Sequence, residues 1–251
     1  MFNGKISCYV DIASFYSYIA FVDILKNQAL LKSHGIDVEF IPVLIGGINT
    51  KSGNKPPWTL PAKAQYAPFD AMRSAERVGK TDITMPEDLM SRSLTVLPMR
   101  ALLFVKASYP REIFETALHY LFHCFWTFPH RDVAAKEGFQ QILAEAPSVF
   151  PQTSQASSSS KPLFGPSDLE KILSAAASPE YKDALKGTTD DAVAKGAFGA
   201  PWLWVRNRLG QEEPFFGSDR SHFVYKFLDL PYEDVKLLPP STSDPTSRHK
   251  L

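Results

Sequence analysis

The chain has 251 residues, long for one simple domain and short for two independent ones, so it reads as one domain with a large insertion or two intimate halves. A hydrophobic fraction of 44% with 22% charged residues excludes wholesale disorder. Twenty-seven basic against 27 acidic residues argue against a protein whose main partner is nucleic acid or an anionic membrane.

No run approaches the ~20 apolar residues that span a bilayer, so no membrane span is expected. The opening stretch, with Asn3-Gly4-Lys5 ahead of a short strand-like run, has the pattern of neither a signal nor a transit peptide. Cys8 and Cys124 stand far apart, which excludes a C-x-x-C redox motif, a zinc ribbon and a disulfide framework. The expectation is a soluble intracellular protein of a reducing compartment. Its 20 prolines exceed the usual ~5%, and many fall in loops near the candidate site.

Residues 5–11 alternate, with Ile6, Cys8 and Val10 on one face, which predicts a strand. Ser14 is a good helix N-cap, and helical periodicity follows through Ile19, Val22 and Leu25 to Leu31, with Gly35 as the stop. A second alternating run covers 37–43. Such a strand-helix-strand unit implies a parallel pair. The stretch 46–61, dense in Gly, Pro and Asn, reads as a loop.

From 62 to about 195 nearly every apolar pattern is helical. The spacing predicts helices over 63–78, 87–94, 99–108, 111–127, 131–145, 167–176, 180–186 and 190–195, with Gly196 just past the last. A serine-rich tract within 148–166 has no periodicity and reads as a mobile surface loop between helices. Strand patterns return at 202–205 and 213–216, joined through a hairpin turn with Gly210. A helix over 220–228 and a polar, proline-rich tail follow. The order predicts an α/β fold: a thioredoxin-like domain (β-α-β … β-β-α), discontinuous over 1–61 and 196–235, with a large all-helical insertion over 62–195 and a polar tail over 236–251.

That arrangement has two fixed addresses for a site. One is the start of the first long helix, where free N–H groups and the macrodipole favour an anion. The other is the loop before the third strand, which places a proline beside it. The first address reads Asp11-Ile12-Ala13-Ser14-Phe15-Tyr16-Ser17, with a hydroxyl and no cysteine; the second reads Gly196-Ala197-Phe198-Gly199-Ala200-Pro201.

With these residues the chain resembles the kappa-class glutathione transferases, relatives of bacterial glutathione-dependent 2-hydroxychromene-2-carboxylate isomerases. The resemblance is carried by Asp11–Ser17, by Ser52-Gly53-Asn54-Lys55-Pro56-Pro57, by Gly196–Pro201 and by Phe216-Gly217-Ser218-Asp219-Arg220, in the family's order and over roughly residues 5 to 230. It implies glutathione as co-substrate, no metal, a small electrophile or a hydroperoxide as second substrate and a homodimer. It assigns Ser14 to the glutathione sulfur and Tyr16 to the same motif. Asn54 and Lys63 would hold the tripeptide from the inserted side. Ala200, before a cis-Pro201, would pair its backbone with the cysteinyl part, and Ser218 with Asp219 would grip the γ-glutamyl end. Phe15 stands where the family usually has proline, and Phe15 with Trp58 would wall the electrophile.

The chemistry the resemblance implies has a physical basis. A free thiol with pKa ~8.5 is little ionised at neutral pH, and thiolate is the nucleophile. A hydrogen bond to a charged group is worth ~1.5–3 kcal/mol, enough to lower that pKa by about one to two units. Rival readings are a glutathione-dependent isomerase of a conjugated substrate, or a glutathione-binding protein without turnover. Individually, Ser14 and Asp219 also fit plain helix caps. Asn54 fits a turn, Lys63 a solvated charge, and the Gly196–Pro201 run a structural loop. His119 and His123, four apart without a third motif residue, read as core or surface histidines rather than a metal pair. Cys8 and Cys124 read as inert fillers. The terminal His249-Lys250-Leu251 resembles a peroxisomal address, set against the cytoplasm as alternative compartment, with the mitochondrial matrix ranked behind both.

Overall fold

A computed structural model describes residues 3–150 and 161–238. The middle of the serine-rich tract and the candidate peroxisomal tripeptide therefore lie outside the described residues. Strand β1 (Gly4–Val10) runs into helix α1 (Phe15–Ser33) and strand β2 (Ile36–Pro42). Ser14 caps α1 by accepting from Ser17 N–H at 3.1 Å, and Gly35 at φ 71° turns the chain after it. Helices α2 (Ile45–Ser52), α3 (Pro61–Arg77), α4 (Leu89–Arg92), α5 (Val96–Ser108), α6 (Arg111–Trp126), α7 (Lys136–Glu145), α8 (Pro166–Ala177) and α9 (Pro179–Ala194) follow. The chain ends its described part with β3 (Trp202–Arg206), β4 (Glu212–Phe216) and α10 (Ser221–Phe227).

Among the described residues the strands make one sheet in the order β2-β1-β3-β4. β1 and β2 are parallel, while β1 with β3 and β3 with β4 are antiparallel. The alternation of β1 divides its side chains between two cores. Ile6, Cys8 and Val10 join Phe21, Phe40, Phe122 and Phe125 in the larger one. Tyr9 packs with Val43, Ile48, Ala192 and Trp202 in the smaller. Helices α2 and α9 thus cover one sheet face, and α1 with the α5–α6 pair supplies the other.

Three sequence expectations need correction. The stretch 46–61 is not simply a loop, because α2 and a 3₁₀ turn at Pro57–Thr59 form within it. Its glycines conceal a helix that is held from outside: Leu44 N–H donates to Thr189 Oγ1 at 3.0 Å and Ile45 N–H to Asp11 Oδ2 at 2.7 Å. Gly47 lies so close to α9 that a Cβ there would meet the Thr189 methyl at 3.1 Å. The patterns at 180–186 and 190–195 are one helix, α9. Its Gly187-Thr188-Thr189 junction is tied to its surroundings: the Thr188 hydroxyl donates to the Pro42 carbonyl of β2 at 2.7 Å, and Thr189 Oγ1 accepts from Leu44 N–H at the start of α2. The pattern at 131–145 starts its helix only at Lys136, because the Asp132 carboxylate accepts from Ala134 N–H at 2.9 Å and Ala135 N–H at 3.1 Å and closes a turn ahead of it.

At the ends of the serine-rich tract, Ser148 N–H donates to the Lys161 carbonyl at 2.7 Å and Leu163 N–H to the Ala146 carbonyl at 2.7 Å. Among the described residues no helix is long and apolar enough to cross a membrane, and no cluster of three or more metal-ligating side chains forms.

Candidate active site at the start of the first helix

The turn 11–14 is built before any ligand is considered. Asp11 is wholly buried, and its carboxylate accepts from Ala13 N–H at 3.0 Å, Ile45 N–H at 2.7 Å and the Thr95 hydroxyl at 2.7 Å. Burial raises its pKa, while the three donors pull the other way. Trp126 donates its indole N–H to the Ile12 carbonyl at 2.8 Å, and Ser14 N–H donates to the Asp11 carbonyl at 3.0 Å. The residue after β1, the first residue of α2, the residue before α5 and the last residue of α6 therefore fix where α1 begins.

Ser14 is 6% exposed at that start. Its oxygen accepts from Ser17 N–H, and its hydroxyl donates to the Ala200 carbonyl at 2.8 Å. Ala200–Pro201 is cis. The hydroxyl thus bridges the helix N-terminus and the proline loop, although 186 residues separate the two partners. Asn54 joins the same loop: its side-chain amide donates to the Phe198 carbonyl at 2.6 Å. Gly199 is required there, because a Cβ would meet the Phe216 ring at 2.9 Å.

The other expected residues divide. Ser218 is buried, and its carbonyl accepts from Arg77 at 2.8 Å. Asp219 is exposed and pairs with Arg220; the cap position of α10 belongs to Arg220 and makes no side-chain capping bond, so Asp219 is not a helix cap. Tyr16 turns toward α3, where its hydroxyl donates to Asp70, and burial followed by that carboxylate pushes its pKa up. Lys63 stands exposed in the first turn of α3.

Phe15 packs edge-on against Trp126 at 5.4 Å between ring centres and lines a cleft of 380 Å³. The cleft is completed by Pro68, Met72 and Ala75 of α3, by Ile83 and Met85, and by Lys80 and Glu76. Trp58, though 40% exposed, does not line it. A shallow hollow of 690 Å³ at Phe104, Glu170 and Tyr181 draws no residue from the Ser14, Asn54, Pro201 or Asp219 loops. Neither cysteine belongs to the site. Burial pushes the Cys8 thiol up to about 12 and the Cys124 thiol up to about 11.

The family model for the DsbA-like thioredoxin domain matches residues 5–146. The human glutathione S-transferase kappa 1 is 32% identical over 226 residues, covering 89% of this chain and 90% of the relative. The chain belongs to the kappa-class glutathione S-transferase family. The glutathione S-transferase kappa 1 of Caenorhabditis elegans is 27% identical over 230 residues, covering 90% of this chain and 92% of the relative. Among solved structures, a 2-hydroxychromene-2-carboxylate isomerase superposes with a TM-score of 0.66 at 18% identity, over 90% of this chain and 94% of the other, which is a likeness of fold.

The motif at 11–17 singles out Ser14 as a candidate, but no motif points to the cleft beside it. Its walls come from α3, from 80–85 and from the end of α6. Met72, Lys80, Met85 and Trp126 carried no pattern beyond ordinary helical or loop composition. Exposed apolar residues on α3, such as Tyr66, Phe69 and Met72, were the available signal that this helix does not bury all of its apolar surface.

Proposed function

We propose that the protein is a glutathione transferase in which the Ser14 hydroxyl holds the cysteinyl sulfur as thiolate for attack on a small electrophile. The observation that carries this reading is the hydroxyl's hydrogen bonding. Its oxygen is already engaged by Ser17 N–H, and its proton is directed across to the proline loop, to the Ala200 carbonyl. A thiolate at the α1 N-terminus would take over as acceptor of that proton, with the helix dipole adding to the stabilisation. The chain's own thiols are buried and held protonated, so the nucleophile must arrive with a ligand.

In this reading the tripeptide lies along the proline loop. The Ala200 backbone faces its cysteinyl unit, Asn54 and Lys63 stand on the inserted side, and Ser218 with Asp219 hold the γ-glutamyl end. Tyr16, held by Asp70, supports the motif next to the sulfur. The cleft lined by Phe15 takes the electrophile.

Titration of thiolate absorbance in the glutathione complex tests the assignment. The bound thiol is expected to ionise about one to two units below its free value of ~8.5, and Ser14→Ala to return it most of the way. An unchanged thiol pKa in the variant overturns the role of Ser14.

A further inference from the structure

The lining of the cleft beside Phe15 is mostly apolar, and Lys80 interrupts it. Lys80 is 2% exposed, lies with Nζ 5.9 Å from the Tyr18 ring centre, and has no ion pair or side-chain hydrogen bond among the described residues. Around it, Tyr18 Oη, Asp82 Oδ1, His119 Nε2 and His123 Nδ1 are buried without a protein partner. Lys80 Nζ keeps an opening into the cleft while the rest of its side chain is enclosed, so an acceptor bound in the cleft is within its reach. Two carboxylates limit what that acceptor is. Asp82 acts on Lys80 directly, and Glu76 lines the same cleft. A ligand arriving as an anion meets both, whereas a neutral carbonyl oxygen does not.

Resting on the thiolate reading above, we propose that Lys80 is a catalytic acid facing the electrophile, and that the electrophile is an apolar conjugated carbonyl compound. The glutathione sulfur attacks the β-carbon and forms the C–S bond. The C=C electron pair shifts through the α-carbon onto the carbonyl oxygen, giving an enolate. Lys80 donates a hydrogen bond to that oxygen as it gains charge, then gives a proton to the enolate, which collapses to the saturated ketone protonated at the α-carbon. The neutral amine recovers its proton from solvent, replacing the one the thiol released on ionising. Charge that develops only in the transition state, in a mostly apolar cleft, is where a fixed cation stabilises most.

Two substrates separate this role from a structural one. Benzylideneacetone is a neutral aryl enone; with benzyl chloride, sulfur displaces chloride and no oxygen gains charge. Lys80→Met is expected to lower kcat/KM for the enone about ten- to a hundredfold more than it lowers the benzyl chloride value, the extra loss being that of one charged hydrogen bond. Lys80→Arg should restore part of the enone rate.

In the unmodified protein, enone turnover should fall on the alkaline side as Lys80 loses its proton, and benzyl chloride turnover should not. Burial, then Lys26, lowers the Lys80 pKa against the opposing Asp82, so that fall should come below the ordinary lysine range. His119, His123 and Tyr18 face the same group and stay neutral across that range, their ionised forms disfavoured by burial. The profile decides the matter even if Lys80→Met does not fold. Equal losses on both substrates, an unchanged enone rate, or matching pH profiles would overturn the assignment. A parent protein that forms no glutathione thiolate overturns the reading beneath it, and shows this before any variant is made.

Discussion

Ser14 does two jobs with one hydroxyl, and they separate in energy. As an N-cap it satisfies one orphan N–H of α1, and its loss in Ser14→Ala is expected to lower unfolding free energy by ~1 kcal/mol in urea titrations. A folded protein survives that; in the proposed mechanism the chemistry does not, because the same substitution removes the donor to sulfur. Asp219 sits at the opposite end of the proposed tripeptide and should behave differently. It is exposed and already paired with Arg220, so the ligand amine competes for it and the bond is worth the lower end of the charge-assisted range. Asp219→Ala is expected to weaken glutathione binding about tenfold while leaving turnover at saturation nearly unchanged, the pattern of lost uniform binding. Calorimetric titration checks the first half and steady-state kinetics the second; equal affinity in variant and parent would show that Asp219 does not touch the ligand.

At the scale of elements, the reactive turn is a junction held by one buried carboxylate. Asp11 receives donors from its own turn, from the start of α2 and from the residue before α5, so three elements share a single anchor. Thr95→Val keeps the shape and removes one donor from a buried carboxylate. It is expected to cost about 1–3 kcal/mol of stability, measured by urea unfolding, and to raise the Asp11 pKa further. A loss within error would mean that α5 is held by its packing alone. The same junction explains why α1 starts at one defined residue. Trp126 holds the Ile12 carbonyl, Ser14 N–H closes onto the Asp11 carbonyl, and the Asp11 carboxylate takes Ala13 N–H, so the turn ahead of the cap is fixed from three sides.

For the whole molecule, the larger core includes an ionisable group that links its stability to pH. His119 is 3% exposed among Tyr18, Phe21 and Phe122. Burial, then Lys80 and His123, lowers its pKa from 6.5 to about 3. The folded state therefore binds the proton more weakly than the unfolded chain. Stability from this group is complete above the unfolded pKa and is lost as pH falls toward the folded one. About 2 kcal/mol should be gone by about pH 5. In His119→Phe this acid dependence should flatten by that amount, read as the difference between the two proteins' unfolding free energies at neutral and acid pH. Parallel curves would place the acid sensitivity on other groups.

The sequence by itself determined the features that depend on near neighbours. The alternation of Ile6, Cys8 and Val10 makes a strand whichever helices cover it. Ser14 caps α1 through Ser17, three residues on. The order of elements, with strands at both ends of a helical run, suffices for the thioredoxin topology, and the motifs at 11–17, 52–57, 196–201 and 216–220 suffice for the family. What the tertiary structure decided depends on groups far apart in the chain. Helix α2 exists because Asp11 and Thr189, 34 and 145 residues from their partners, satisfy its first N–H groups, which its Gly46-Gly47 composition could not announce. The join of 180–186 to 190–195 is held where Thr188 donates to the Pro42 carbonyl, 146 residues away, and Thr189 receives Leu44 N–H. The cleft is the clearest case. Phe15 was visible as a departure from the family and Trp58 as an aromatic near the motif, yet only folding shows that Phe15 lines the space and Trp58 does not. Lys80 looked like one charge among 27, and its burial against Tyr18 is a property of how α1 meets the chain after α3. Periodicity and capping are local energies that a sequence displays; the walls of a cavity are set by which faces meet, and that is settled only when the whole chain packs.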